Sequence, residues 1–287
     1  MKHIDDVDFY LMDLKSRFDK LKPNTYYLSY SGGKDSHFLY WFIKEYLKRD
    51  DIKIVGINTF MEHHEILQRI NKNCDIVLWP KMKPFEIKEK YGSPCFSKSQ
   101  DEFIRRYQKG NRSENTMKYV MGINPIFKLS KKAKDLLLEG KLHKISPDCC
   151  KYLKKVTVHD FEKETGLKPI LGVRGSEGIL RKRNYQTCFT KDKKFTPLWD
   201  LTNELEEQIY KKYNIEIPEV YKHVRRTGCM GCPYSKVNVN NVSNIEKELS
   251  LLRGGQLKFV KEYFKESYAI LGVNTEIPVQ MTIFDIK

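Results

Sequence analysis

The sequence predicts an α/β protein built around a parallel β-sheet. Short apolar runs alternate with segments of helical periodicity between residues 25 and 80, and the alternation resumes after residue 149. Such alternation is typical of strand–helix–strand units with right-handed crossovers. The run 52–59 is nearly continuously apolar, as expected of a strand that is buried on both faces of a parallel sheet.

Each element follows from its local pattern. Apolar residues at helical spacing, such as Leu11 and Leu14, predict a first helix, and the helix over 35–49 opens on an acid and closes on two basic residues, which suits its dipole. The predicted helices cover 5–20, 35–49, 63–72, 149–164 and 203–213, and the predicted strands cover 25–30, 52–59, 75–80 and 169–174. Residues 81–147 predict a partly helical segment, and the last fifty residues predict one more helical segment and a short tail.

The composition fits a folded protein with an anionic partner. The 287 residues carry 52 Lys and Arg against 37 Asp and Glu, a net charge of +15. Residues 96–160 hold 15 basic and 7 acidic residues, so this stretch alone supplies +8. An excess of this size favours polyanions such as a nucleotide or a nucleic acid, although a solvated basic surface would have the same composition.

Membrane and secretory features are not expected. No apolar run approaches the roughly 20 residues that cross a bilayer, and the first eight residues include three acids. We therefore expect a cytoplasmic protein without a membrane partner. In a reducing compartment the seven cysteines are expected to be free, catalytic or metal-binding.

A glycine-rich loop at residues 31–36, Ser-Gly-Gly-Lys-Asp-Ser, separates the first predicted strand from the following helix. Glycines let the backbone approach a phosphate closely, and the helix start presents backbone N–H groups with partial positive charge. Lys34 adds a full charge, and Ser31 and Ser36 add hydroxyl groups. The loop is therefore predicted to bind phosphate, although its spacing differs from the Walker A pattern.

This loop resembles the PP-loop of the ATP-pyrophosphatase (adenine nucleotide alpha hydrolase-like) superfamily. The resemblance implies a Rossmann-like HUP fold with helices on both faces of the sheet, and a loop that holds the phosphates of ATP or the phosphate and sulfate groups of a sulfonucleotide. Asn58 and Thr59 fall where that superfamily contacts adenosine. The nucleotide-binding residues implied so far are Ser29, Ser31, Gly32, Gly33, Lys34, Asp35, Ser36, Asn58 and Thr59.

A second segment, 169–185, resembles the G-x-R-x-x-E-S segment of PAPS reductase-like proteins, with the order Ser176-Glu177-Gly178 in this chain. The resemblance adds Gly172, Arg174 and Glu177 to the nucleotide site. The planar guanidinium of Arg174 suits a phosphate. Lys34, Asp35 and Arg174 are the predicted catalytic residues.

The cysteine pattern, Cys149-Cys150, Cys188 and Cys229-x-x-Cys232, resembles that of a bacterial and phage PAPS reductase-like group whose cysteines are thought to hold a 4Fe–4S cluster. The implied ligands are Cys150, Cys188, Cys229 and Cys232, with Cys149 in reserve. Thiolates also suit zinc, which stays an alternative, as does the absence of a metal. Adjacent cysteines are awkward ligands for one tetrahedral zinc ion.

The resemblance spans roughly residues 25–235 and divides the chain into a nucleotide-binding domain, 1–215, with a basic insertion at about 96–147, and a cysteine-containing, helical part, 216–287. Sulfonucleotide reductases use a cysteine near the C-terminus, and this chain has none after Cys232. The leading hypothesis is therefore ATP-dependent adenylation, with Mg²⁺ as an expected cofactor, followed by sulfur transfer to an anionic acceptor such as tRNA or DNA. A partner protein would supply sulfur or electrons, and a cluster iron would bind and deliver sulfide.

Two alternatives stay open. The first is a PAPS or APS reductase that takes its thiol from Cys95 or from a partner. The second is a zinc-stabilised nucleic-acid-binding module without catalysis.

Overall fold

A four-stranded, fully parallel sheet in the order β3-β2-β1-β4 organises the half of the protein that contains the glycine-rich loop. The computed structural model describes residues 6–224, 228–236 and 243–276, except for the side chains of Glu177, Ile179 and Leu180. The strands are β1 (Tyr26–Tyr30), β2 (Lys53–Ile57), β3 (Ile76–Leu78) and β4 (Lys168–Ile170). The central strand β1 pairs Leu28 with Ile54 of β2 and with Ile170 of β4.

Helices make up most of the remaining regular structure. The α-helices are α1 (Asp6–Phe18), α2 (Lys34–Trp41), α3 (His64–Asn73), α4 (Pro84–Tyr91), α5 (Lys98–Gln108), α6 (Glu114–Met121), α7 (Lys131–Leu138), α8 (Val156–Thr165), α9 (Ile179–Asn184), α10 (Asn203–Lys212), α11 (Ser243–Ser250), α12 (Gly254–Tyr263) and α13 (Lys265–Leu271). Two π-helical turns, Phe42–Tyr46 and Lys151–Lys155, adjoin α2 and α8. Short 3₁₀ turns cover Gly175–Glu177, Glu219–Lys222 and Pro233–Ser235. In the described part of the chain, no helix is both long and apolar enough to cross a membrane.

The chain divides into two compact units. Unit 1 comprises residues 1–58, 65–78 and 158–219, and it contains the sheet. Unit 2 comprises residues 59–64, 79–157 and 220–287, and it is helical in its described part. This division differs from the predicted boundary after residue 215, because the predicted basic insertion and the C-terminal helices belong to the same unit.

The packing of unit 2 explains that difference. Phe96 and Val120 from the insertion lie in one buried cluster with Leu249 and Tyr263 from the C-terminal helices. All four side chains are less than a tenth exposed. Segments that are far apart in sequence therefore bury their apolar faces against each other, and neither segment has a complete core alone.

The predicted α/β class with a parallel sheet is confirmed, and the strands lie within the predicted ranges except for Lys168, which begins β4 one residue early. Two helical predictions were incomplete. The C-terminal region forms three helices instead of one, because a turn at 251–253 and a non-helical Phe264 (φ −104°, ψ 14°) interrupt the periodic pattern. The short helix α9, within a segment assigned only to phosphate binding, was not predicted.

Gly56 in β2 tests the packing of the sheet against α3. A Cβ atom at this position would lie 2.6 Å from Cys74 Sγ and 2.9 Å from Ile70 Cγ2. We expect Gly56→Ala to destabilise unit 1 by about 1–3 kcal/mol through overpacking. The midpoint of urea unfolding, followed by tryptophan fluorescence, measures the effect. In the control Gly255→Ala, the new methyl group meets no atom within 4 Å, and a wild-type or slightly higher midpoint is expected. Equal midpoints for both variants would contradict the close packing.

Candidate nucleotide site and cysteine cluster

The glycine-rich loop (residues 31–36) connects the end of β1 to the start of α2 in unit 1. Gly32 has a φ of +72°, a conformation that favours glycine. A Cβ atom on Gly32 would also lie 2.9 Å from Ile66 Cγ2 and 3.0 Å from Ile66 O. Gly33 precedes α2 in extended conformation, without a side-chain cap. Gly32 is therefore required by the shape of the turn, and the turn places the N-terminal backbone of α2 at the loop.

Hydrogen bonds between its two serines close the loop. Ser31 N donates to Ser36 Oγ at 3.2 Å, and the two hydroxyl groups are 3.1 Å apart. Ser36 Oγ in turn donates to Gly33 O at 3.0 Å. Ser36 is buried, whereas Ser31 is exposed. Ser36 thus fixes the loop conformation, and Ser31 presents its hydroxyl group to solvent, where a ligand can reach it.

The chain after β4 approaches the loop closely. A Cβ atom on Gly172 would lie 3.0 Å from the carbonyl carbon of Asp35 and 3.1 Å from Ser36 N. A larger residue at position 172 would therefore press on the backbone at the start of α2. The sequence predicted Gly172 and the loop as parts of one site, and the structure brings them together.

Four charged side chains form a buried cluster beside the loop. Arg174 Nε lies 2.6 Å from Asp35 Oδ1, and Arg174 Nη1 lies 3.2 Å from Glu206 Oε2. Lys34 Nζ lies 2.8 Å from the same Glu206 oxygen. The Glu206 and Arg174 side chains are only 1% and 9% exposed, whereas the Lys34 side chain is 20% exposed. All three predicted catalytic residues therefore meet in one cluster of two acids and two bases.

The charge of Glu206 contributes to a raised pKa of the Asp35 carboxyl group. Burial raises the pKa of Asp35 to about 6, the positive charge of Arg174 opposes this rise, and the charge of Glu206 adds to it. The cost of placing two carboxylates together in a buried site is offset by the two cations. Two supports from α10 complete the cluster: Asn203 Oδ1 accepts from Arg174 Nη1 at 3.1 Å, and Tyr210 Oη donates to Lys34 O at 2.6 Å.

Glu206 was missed by the sequence analysis, although a signal was present. In α10 the buried residues are Glu206, Ile209 and Tyr210, at positions i, i+3 and i+4 of one helix face. A glutamate on the apolar face of an amphipathic helix needs a cationic partner, because buried carboxylates are otherwise costly. The partners are far away in sequence, so the pattern alone does not identify them.

The other predicted nucleotide-binding residues are distributed as follows. Ser29 lies in β1 with its side chain half-buried, and it pairs with Val55 of β2. Asn58 is buried at the end of β2, with its backbone N–H donating to Leu78 O at 3.0 Å. Thr59 belongs to unit 2, where it is fully buried and its backbone and hydroxyl groups both bind the Glu62 carboxylate. The side chain of Glu177 lies outside the described part of the structure.

Four of the five candidate cysteine ligands interact with one another in unit 2. Cys149 and Cys150 share a side-chain hydrogen bond, and the charges of Cys229 and Cys232 act on Cys149. Cys149 lies in the core of unit 2, and Cys150 and Cys229 pack against it. We call Cys149, Cys150, Cys229 and Cys232 the cysteine tetrad.

Local backbone contacts hold the second half of the tetrad. Met230 N donates to Met61 O at 2.7 Å, and Gly231 N donates to Glu248 Oε2 at 3.2 Å. Gly231 has a φ of +62°, which the turn between Cys229 and Cys232 requires. The turn is therefore fixed by unit 2 independently of any bound group.

The tetrad is partly buried, and Lys154 acts on both of its halves. Burial raises the pKa of both Cys229 and Cys232, and the positive charge of Lys154 opposes this rise at Cys229. The Cys149 thiol donates to Cys150, which raises the pKa of Cys149 and lowers that of Cys150 to about 6. The negative charge of Cys229 raises the pKa of Lys154. Lys154 thus provides positive charge beside sulfur atoms that become thiolates when they bind a metal.

The donor set fits a thiolate-bound group, such as an iron–sulfur cluster or zinc. A finished coordination geometry is not formed: among the residues that the structure describes, no group of three or more His, Cys, Asp or Glu side chains is arranged to hold a metal ion. The observation that bears on the predicted cluster is therefore that four thiol groups interact, and not that they already form a coordination geometry.

Cys188, predicted as a ligand, belongs to unit 1. Its carbonyl oxygen accepts from Thr196 N at 2.7 Å, and its charge acts on Tyr10. Cys95, the alternative reductase thiol, belongs to unit 2 and is fully buried. Burial, followed by the charge of Asp101, raises the pKa of Cys95 to about 12, which disfavours a nucleophilic thiolate.

Similarity to known proteins is found among solved structures and not among sequences. No protein-family profile matches the chain, and no curated protein sequence matches it. Among solved structures, similar chains include a PAPS reductase from Candida auris in complex with phosphate (12% identity, TM-score 0.40, covering 74% of this chain and 89% of that one). An NH3-dependent NAD synthetase from Campylobacter jejuni subsp. jejuni in complex with nitrate has 13% identity and a TM-score of 0.38, and the match covers 96% of this chain and 97% of the synthetase.

A U34-tRNA thiolase from Methanococcus maripaludis with its 4Fe–4S cluster has 14% identity and a TM-score of 0.37, covering 96% of this chain and 83% of the thiolase. At TM-scores below 0.5 these similarities carry no argument about function.

Glu206 is the residue on which the charge cluster depends. We expect Glu206→Gln to destabilise unit 1 by about 3–5 kcal/mol, because it leaves the buried Arg174 and the partly buried Lys34 with one carboxylate. Urea unfolding at neutral pH measures the loss. The matched control is Glu207→Gln on the same helix, which removes an equal charge from an exposed position and is expected to change stability by less than about 0.5 kcal/mol. A similar small effect for both variants would show that the cluster does not stabilise the unit.

Proposed function

We propose that the protein is a PP-loop ATP-binding enzyme that adenylates an acceptor and then transfers sulfur to it. The observation that carries the proposal is the glycine-rich loop, which contains Lys34 and joins β1 to α2 with Gly172 packed against it. A glycine turn at the carboxyl end of a parallel strand, followed by a helix start, is suited to binding phosphate.

Each loop residue has a distinct role in this proposal. Gly32 provides the left-handed turn, Gly33 lets a phosphate approach the start of α2, and the exposed Ser31 hydroxyl turns from Ser36 to donate a hydrogen bond to it. Lys34 is the more exposed cation of the charge cluster, and it turns from Glu206 toward the triphosphate. Arg174 is almost fully buried, so it acts by holding Asp35 and Glu206 in place as well as by its charge.

The chemistry takes two displacement steps. An acceptor oxygen attacks the α-phosphorus of ATP, the bond between the α-phosphorus and the bridging oxygen breaks, and pyrophosphate leaves with the electron pair. A sulfur nucleophile from a donor protein then attacks the acceptor atom that bears the adenylated oxygen, and AMP leaves. Lys34 and the backbone N–H groups stabilise the charge that develops on the phosphates, and Mg²⁺ accompanies the triphosphate.

The cysteine tetrad is the proposed site of a 4Fe–4S cluster, held by Cys149, Cys150, Cys229 and Cys232. These residues replace the first-choice set of the sequence analysis by exchanging Cys188 for Cys149. Support comes from the mutual interactions of the four thiols and from the charge of Lys154. When bound, such a cluster supplies redox-active iron in a thiolate-rich site.

The ATP hypothesis is tested by comparing substrates and variants of the loop. We expect ATP-dependent release of pyrophosphate with a nucleic-acid acceptor, and Lys34→Gln is expected to weaken ATP binding by about tenfold or more, since a charge-assisted hydrogen bond contributes about 1.5–3 kcal/mol. The matched control is Lys53→Gln, an exposed lysine at the start of β2, for which wild-type ATP affinity is expected. Sulfite release from PAPS without ATP would identify a reductase and overturn the proposal.

The ligand set is tested by iron and sulfide analysis of anaerobically purified protein. Cys149→Ser is expected to lose most of the iron, because it removes one of four proposed ligands, whereas Cys188→Ser is expected to retain the wild-type iron content. The opposite pattern would restore Cys188 to the ligand set. Stoichiometric zinc without iron in the wild-type protein would refute the cluster and favour the nucleic-acid-binding module.

A further inference from the structure

A cavity in unit 2 provides a second candidate binding site. Its volume is about 470 Å³, in the range of small-molecule and nucleotide pockets. It lies between the end of α4, the C-terminal half of α5, and the segment that follows α7. All of its lining residues fall between Tyr91 and Ile145, so the pocket belongs to unit 2 alone.

The charge of the pocket is strongly positive. Arg105, Lys109, Arg112 and Lys144 line it, and no Asp or Glu does. Arg105 is neutralised by Glu102 at 2.7 Å and by Asp148 at 2.9 Å. In the described part of the chain the other three cations have no carboxylate partner. Three uncompensated positive charges around one cavity favour a phosphorylated ligand.

The pocket also offers flat surfaces. The Arg112 guanidinium lies 3.6 Å from the centre of the Tyr107 ring, and Tyr91 stacks on Tyr152 with ring centres 4.2 Å apart. Leu137 and Ile145 are buried beneath the polar rim. Aromatic rings and planar guanidinium groups next to lysines are the surface on which nucleic-acid bases stack while their phosphates are neutralised.

The walls of the pocket are held in place by side-chain contacts to backbone. Gln108 donates to His143 O at 2.7 Å and accepts from Ile145 N at 3.0 Å. Lys144 Nζ donates to Lys90 O at 2.7 Å. These contacts tie the segment after α7 to α4 and α5, so the cavity is a preformed feature of the unit.

We propose that this pocket binds one nucleotide of a single-stranded nucleic acid, with the base against the Tyr107–Arg112 pair and the phosphates on Lys109 and Arg112. A base that is paired in a duplex cannot enter a cavity of this kind, whereas an unpaired base can. As the acceptor site for sulfur transfer, the pocket rests on the proposed function, but the binding itself does not.

The test measures binding of the full-length protein to fluorescein-labelled oligouridylate and oligothymidylate of about ten nucleotides, a length within the range of single-strand sites. ATP is left out, so that failure of the adenylation chemistry does not affect the result. The pocket variant is Lys109→Gln/Arg112→Gln. The matched control, Lys131→Gln/Lys258→Gln, removes the same net charge from exposed positions of unit 2 outside the pocket.

We expect single strands to bind, and the pocket variant to bind at least about tenfold more weakly while the control changes little. Loss of two phosphate contacts should also lower the slope of log affinity against log salt by about 1.4, at about 0.7 per contact. Tyr107→Leu is expected to weaken binding about fivefold or more, whereas Tyr107→Phe, which keeps the ring, is expected to bind as the wild type does.

Four results would overturn the proposal. These are the absence of binding to both oligonucleotides, equal losses in the pocket and control variants, a duplex that binds as tightly as the single strand, and free UMP that competes as effectively as the oligonucleotide. The last result would assign the pocket to a mononucleotide instead of a nucleic acid.

Discussion

The pairing of two buried and two partly buried charges is the constraint on which unit 1 depends. Lys34 and Asp35 come from the start of α2, Arg174 from the segment after β4, and Glu206 from α10. A buried charge without a partner costs several kcal/mol, so these three elements must meet in one arrangement. The same pairing binds the Lys34 ammonium group to Glu206, so a phosphate must compete with Glu206 for that group.

The sequence was sufficient where the decisive interactions are local. The glycine turn between β1 and α2, the continuous apolar run of β2 and the capped helix α10 are each specified by neighbouring residues, and all three were predicted. Glu206 shows the limit. Its position on an apolar helix face signals a buried charge, but its partners lie far away in sequence, and only the folded chain brings them together.

Unit 2 shows the same limit on a larger scale. For residues 96–147 the sequence predicted only a basic, partly helical segment, because the apolar patches there have no partner nearby in sequence. Their partners are the C-terminal helices, as the shared cluster of Phe96 and Tyr263 demonstrates. The cysteine pattern was visible in the sequence, yet spacing alone does not distinguish Cys149 from Cys188. The proposed preference for Cys149 comes from its interactions with Cys150, Cys229 and Cys232.

The segmented origin of unit 2 has a consequence for the order of events on the ribosome. All segments of unit 1 have emerged once residue 219 is free of the exit tunnel, whereas the core of unit 2 still lacks Leu249 and Tyr263. Cys149 and Cys150 therefore belong to an incomplete unit until Cys229 and Cys232 have been synthesised. Since domains generally fold as units during synthesis, chaperones would encounter a nascent chain in which unit 1 is complete while unit 2 still lacks residues 220–287.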